Sequence, residues 1–94
     1  MINSIQRQVF PMAKSPNQKL KLLYLMKIFL EKTDDNHGLR AVDLMEELRQ
    51  YGIEVERKSL YSDIEALQIF GLDINKIQKN RTFYYYMGQR ELEF

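Results

Sequence analysis

Gly52 constrains this chain more than any other residue, because apolar residues at helical spacing run up to it on one side and resume only a few positions beyond it. Glycine enters the left-handed backbone region at little cost, so it closes a helix abruptly. A second helix starting within about four residues must then cross the first steeply. The segment from Tyr51 to Leu67 therefore reads as a helix-turn-helix.

The remaining elements follow from periodicity. Downstream of the turn, Leu60, Ile64 and Leu67 recur at i, i+4, i+7, which predicts a third helix from about Glu56 to Phe70, ended by Gly71. Lys58, Tyr61, Ser62 and Glu65 fall on its outer side. Upstream, Ala41, Leu44, Met45 and Leu48 predict a second helix from Ala41 to Tyr51, with Asp43 and Arg49 suited to its positive and negative ends. The first helix is expected from an Asn17 cap to Lys32. It carries two apolar stripes, Leu22, Leu25, Met26, Phe29 and Leu30 on one face and Leu20, Tyr24 and Ile28 on the other. One face should meet the other helices. The second is left for the wing, another protomer or a further domain, unless the two together make one thick core. Thr33 to Arg40 reads as a polar loop.

Beyond Gly71, Leu72 to Ile77 and Thr82 to Met87 are short runs rich in Ile, Phe and Tyr, joined by Gln78-Lys79-Asn80-Arg81. They predict a β-hairpin with a basic tip. The expected fold is α+β, mainly α: a winged helix-turn-helix of three helices and a two-stranded wing. Residues 1–16, with Pro11 and Pro16 and no steady period, read as an arm. Residues 17–88 form the domain, and 89–94 begin a linker.

At 94 residues with a hydrophobic fraction of 45%, the chain supports one small core. It contains no cysteine, which excludes disulfides and thiolate metal sites and suits a reducing cytoplasm. No run approaches the length of a membrane span. The net charge of +1 conceals a split, with six basic and one acidic residue in 1–32 but four basic and nine acidic in 33–70. Any polyanion must therefore be met by local patches.

Arg57, Lys58, Ser59, Tyr61 and Ser62 occupy the first two turns of the third helix, where a helix seated in a major groove reaches base edges and phosphates. Lys79, Asn80 and Arg81 at the wing tip suit the DNA backbone or minor groove, or form an ordinary polar turn. Lys14, Lys19 and Lys21 offer further cations to phosphates unless they are merely solvated. Glu54, Glu56, Asp63 and Glu65 oppose such contact, although Asp63 projects toward the inner side of its helix and should pair within the domain. Glu65 suits a cytosine amino group or solvent. Phe83 to Tyr86 suggests a stacking platform, but alternation puts Phe83 and Tyr85 on one face and Tyr84 and Tyr86 on the other, which favours core packing. His37 has no catalytic neighbours in sequence, and no glycine-rich phosphate loop or calcium loop occurs, so neither an enzyme nor a cofactor or metal site is expected.

The run from Arg57 to Leu67 resembles the recognition helix of the WYL-domain, DeoR-like transcriptional regulators. Lys19 to Leu23 and Gly88 to Phe94 are weaker matches. The resemblance covers about Asn17 to Phe94 and implies a DNA-binding portion, with any effector bound by a C-terminal domain beyond this chain. One helix reads few base pairs and paired half-sites extend the readout, so the full-length protein is expected to act as a homodimer, though this portion need not dimerise itself. Arg40 and Glu56 depart from the hydroxyl caps such helices often carry, each at about 1 kcal/mol. The competing reading is a winged helix that binds protein through its spare apolar stripe and its tyrosines.

Overall fold

The computed structural model describes residues 16–88, so most of the expected arm and all of the expected linker lie outside the described residues. A single turn at Pro16–Lys19 precedes α1 (Lys21–Lys32), followed by α2 (Ala41–Arg49) and α3 (Arg57–Phe70). An antiparallel hairpin of β1 (Ile74–Lys79) and β2 (Thr82–Met87) completes the described residues. Three helices followed by this hairpin make a mainly helical α+β winged-helix layout. The first helix differs from expectation at its start, because Leu20 (φ −100°, ψ 11°) interrupts it.

Both glycine-terminated helices end in the same way. Gly52 (φ 80°) donates to the Arg49 carbonyl at 2.9 Å, and Ile53 reaches back to Leu48 at 3.1 Å. Gly71 and Leu72 repeat the pattern on Gln68 and Leu67. These are Schellman motifs, and their apolar pairs, Leu48 with Ile53 and Leu67 with Leu72, are all buried. Each helix end thus also anchors the chain that leaves it. At the start of α2, the cap comes from inside the helix. Asp43 accepts from the Arg40 backbone N–H at 2.9 Å and from its guanidinium at 3.0 Å through both oxygens. This corrects the expected weakness at Arg40, whose side chain has no acceptor of its own. Glu56 makes no side-chain cap for α3.

The core draws Leu25, Ile28 and Phe29 from α1, Leu44 and Leu48 from α2, and Leu60, Ile64 and Leu67 from α3. The two stripes expected on α1 are redistributed. Its buried face runs between them, because α2, α3 and β2 all pack on this one helix. Leu22 and Leu30 are left exposed, while Tyr24 stacks on Tyr51 with ring centroids 4.3 Å apart.

The hairpin differs more. Its first strand starts at Ile74 rather than Leu72, and its loop is two residues rather than four. Asn80 (φ 52°) and Arg81 (φ 69°) are both left-handed, the type I′ arrangement whose twist matches the strands. The expected polar loop also supplies a third, one-residue strand. Leu39 and Tyr85 exchange backbone hydrogen bonds of 2.8 and 2.9 Å, which makes β2 central. Asp34 shapes the approach, accepting from the Asn36 N–H and contacting the His37 ring while its backbone pairs with that of His37. Gly38 then passes so near Tyr84 that a Cβ would lie 2.9 Å from that residue's own Cβ.

Thr33 ties the helices to the wing. Its buried hydroxyl donates to the Phe29 carbonyl at 2.8 Å and accepts from the Met87 N–H at 2.9 Å. Thr33→Val removes both bonds and strands a buried donor, so it should cost roughly 1–3 kcal/mol, while Thr33→Ser keeps most of the stability. Thermal melts showing equal losses for the two variants would dissociate the hydroxyl from this role.

Candidate nucleic-acid interface

At about 100° per residue, the residues of α3 divide among three flanks around the buried Leu60, Ile64 and Leu67 line. Arg57, Tyr61 and Gln68 lie toward the hairpin. Gln68 donates to the Ile74 carbonyl at 2.9 Å, and Tyr61 meets Tyr85 with ring centroids 6.4 Å apart. Ser59 and Asp63 lie toward α1, where the Lys21 ammonium donates to Ser59 Oγ at 3.2 Å and sits 3.0 Å from Asp63 Oδ2. That second approach is an ion pair by distance but is off the angle of a hydrogen bond. Lys58, Ser62 and Glu65 form the solvent-facing pole and are all exposed.

Strand alternation divides the wing in the same way. Phe83 and Tyr85 face the α3 side with Lys76, whose ammonium sits 4.7 Å from the Phe83 ring centroid. Lys79 faces the opposite side, lining a hollow with Tyr84, Tyr86 and His37. Arg81 returns to the α3 side. There it borders a cleft of about 320 Å³ together with Arg57 and with Arg40 from the start of α2. A second hollow of about 390 Å³, bordered by Gln68 and Lys76, shares Tyr61, Phe83 and Tyr85 with the first. The two form one trough between α3 and the wing.

Its electrostatics follow from the pairing. The Arg40 guanidinium holds Asp43 below the ordinary carboxylate range, and Asp43 in turn raises Arg40. Arg40 is therefore a cation already half committed. Arg57 touches only the Tyr61 hydroxyl, at 3.4 Å, among its described hydrogen bonds. Burial pushes the Tyr85 phenol up, with Tyr61 adding to the rise and Arg57 opposing it, so Tyr85 stays a neutral donor at neutral pH. Arg49 pairs with both Glu46 and Glu54. Glu56 and Glu65 have no such cation among the described residues.

The residues expected at the site are thus only partly brought together. Arg57, Tyr61 and Arg81 converge, Lys58 and Ser62 occupy the adjoining pole, and Asn80 sits at the tip. Ser59 and Lys79 lie on other flanks. Lys21 is bound within the domain, and Lys14 lies outside the described residues. Arg40, Gln68, Lys76 and Phe83 are additional trough residues that the sequence reading assigned elsewhere or passed over. The signal for Lys76 and Phe83 was strand alternation across the hairpin, whereas Arg40 is placed by the Leu39 bridge.

Among the described residues, no cluster of three His, Asp or Glu side chains is placed to hold a metal ion. No described helix is long and apolar enough to cross a membrane. Neither a protein family, a curated protein nor a solved structure matches the chain.

Two outcomes follow. Lys21→Met leaves the Asp63 carboxylate, only 14% exposed, without its cation and should cost roughly 1–3 kcal/mol, against less than about 0.5 kcal/mol for Lys19→Met at an exposed position. Equal melting temperatures for the two variants would show that Lys21 is not structural. Arg81→Gly relieves a left-handed non-glycine residue and supplies the Asn-Gly pair that type I′ turns favour, so it should leave stability unchanged or raise it by up to about 1 kcal/mol. A lower denaturant midpoint would mean that the Arg81 side chain itself stabilises the wing.

Proposed function

We propose that this domain binds duplex DNA, with the exposed pole of α3 in the major groove and the wing tip against the flanking backbone, as the DNA-binding part of a transcriptional regulator. The observation that carries the reading is the convergence of Arg57 and Arg81 from separate elements beside a helix whose outer pole bears Lys58 and Ser62. Guanidinium groups match phosphate and guanine geometry in pairs of hydrogen bonds, and a lysine on the pole reaches base edges or phosphates. Tyr61 and Ser62 supply hydroxyl contacts, and Asn80 reaches the backbone from the tip. Ser59, held by Lys21 on the α1 flank, is left out of the contact surface. The sequence resemblance to WYL-domain, DeoR-like regulators supports the same reading. A homodimer of the full-length protein lengthens the readout through paired half-sites.

Replacing Arg57 and Lys58 together by Ala should weaken duplex binding and flatten the dependence of log K on log salt by about one unit per lost phosphate contact. An unchanged salt slope in fluorescence anisotropy would remove α3 from the site. A second reading is favoured by the apolar groups left on the surface, Leu23 at 58%, Ile69 at 80% and Phe70 at 66% exposure, which suit a protein partner. Failure of the folded domain to bind random duplex at about 50 mM salt, where electrostatic association is strong, would select that second reading.

A further inference from the structure

The geometry points to a second binding mode on the same face: the trough between α3 and the wing holds an unpaired stretch of nucleic acid beside the duplex, with its bases on Tyr61 and Phe83 and its phosphates on Lys76 and the arginines. The inference rests on the duplex-binding reading for the origin of that single strand. It goes beyond it in naming a site with different chemistry.

Three observations carry it. The first is an aromatic floor open to solvent between α3 and the wing. Tyr61 and Phe83 are 42% and 45% exposed, although Phe83 shares a strand face with the buried Met87. Phe83 stands nearer the wing tip than Met87 and keeps its ring partly in solvent. The second is the arrangement of the rings. Tyr61 and Tyr85 already touch, tilted by 36°, so a base cannot enter between them and must lie on the open surface of Tyr61 and on Phe83. At Phe83 it either displaces the Lys76 ammonium from its ring or uses the opposite ring face. The third is charge. Arg57, Arg81 and Lys76 border the trough, and no carboxylate lines either hollow. A π-face flanked by cations suits a single strand, because every base can stack and every linkage carries one negative charge. In a duplex, the base faces are already stacked on one another and cannot reach this floor. An acidic peptide would satisfy the cations but leave the rings unused.

The test compares three labelled DNAs binding to the domain in anisotropy: a blunt duplex, the same duplex with a single-stranded thymidine tail of about five nucleotides, and the same duplex with an abasic tail of equal length. The abasic tail has the charge without the bases. The thymidine tail should bind at least about fivefold more tightly than the abasic one. Phe83→Leu should bring that ratio close to one with blunt-duplex affinity unchanged, and Lys76→Gln should weaken both tailed DNAs alike. Equal binding of the two tails by the wild-type chain would overturn the inference whatever the variants do. So would a thymidine preference that survives Phe83→Leu. Loss of blunt-duplex binding with the thymidine preference intact would overturn the duplex reading alone, which keeps the two failures apart.

Discussion

The backbone pairing between Leu39 and Tyr85 is the constraint on which the rest of the candidate face depends. Two reciprocal hydrogen bonds turn a loop residue into an edge strand and make β2 central. The Thr33 hydroxyl then fixes the far end of β2 to the last turn of α1 through Met87. With its end and its middle held, the strand has little freedom left in its direction, and its tip emerges beside the first turn of α3. The convergence of Arg81 with Arg57 is thus a consequence of two polar attachments placed well away from it. A two-stranded hairpin alone would be marginal in water, so the same attachments also account for the wing being ordered.

Charge is distributed to the same end. The middle of the sequence is acidic, which argues against a polyanion partner when only sums are considered. In the fold, several of those carboxylates are engaged where they stand: Asp43 by Arg40, Asp63 by Lys21, and Glu46 and Glu54 by Arg49. Apart from the part-buried Lys21–Asp63 pair, these exposed pairs contribute little stability. Their larger effect is on the field, since each neutralises an acid that would otherwise repel phosphates. Glu65 is different, because it shares the solvent-facing pole with Lys58 and Ser62. It is the group on α3 best placed to limit affinity or to discriminate among bases.

Helix existence, the two glycine stops and the inward line of α3 were legible in sequence because local spacing and backbone preference decide them. The hairpin was legible as a pair of strands, but its turn was not. Asn80 supplies only the first half of the Asn-Gly signature, and the left-handed conformation of Arg81 is imposed by strand register. Thr33 and Leu39 read as loop residues because their partners, Met87 and Tyr85, lie about fifty positions away. The stripes of α1 left two partnered faces and one thick core undecided for a related reason. A helix covered from three directions buries the line between its apolar stripes rather than either one, and spacing alone cannot count neighbours. Arg40 looked like a defective cap only because the acceptor that satisfies it comes from Asp43, one turn inside the helix.

Two departures from local rules lie side by side in the fold. Arg81 occupies a backbone region that bulky side chains avoid, and Phe83 is half exposed on a strand face that ends in the core. Neither feature is explained by packing, since glycine would serve the turn better and a polar residue would serve the exposed strand position. Sequences usually agree with their fold at every level, and the exceptions concentrate where something other than stability is selected. Here both exceptions border the trough between α3 and the wing. Ile69 and Phe70 are also exposed, but Ile69 lies on the outer pole and Phe70 on the α1 flank of α3, away from this trough. That separation makes the trough, rather than the outer pole alone, the part of the domain whose residues are hardest to account for by folding.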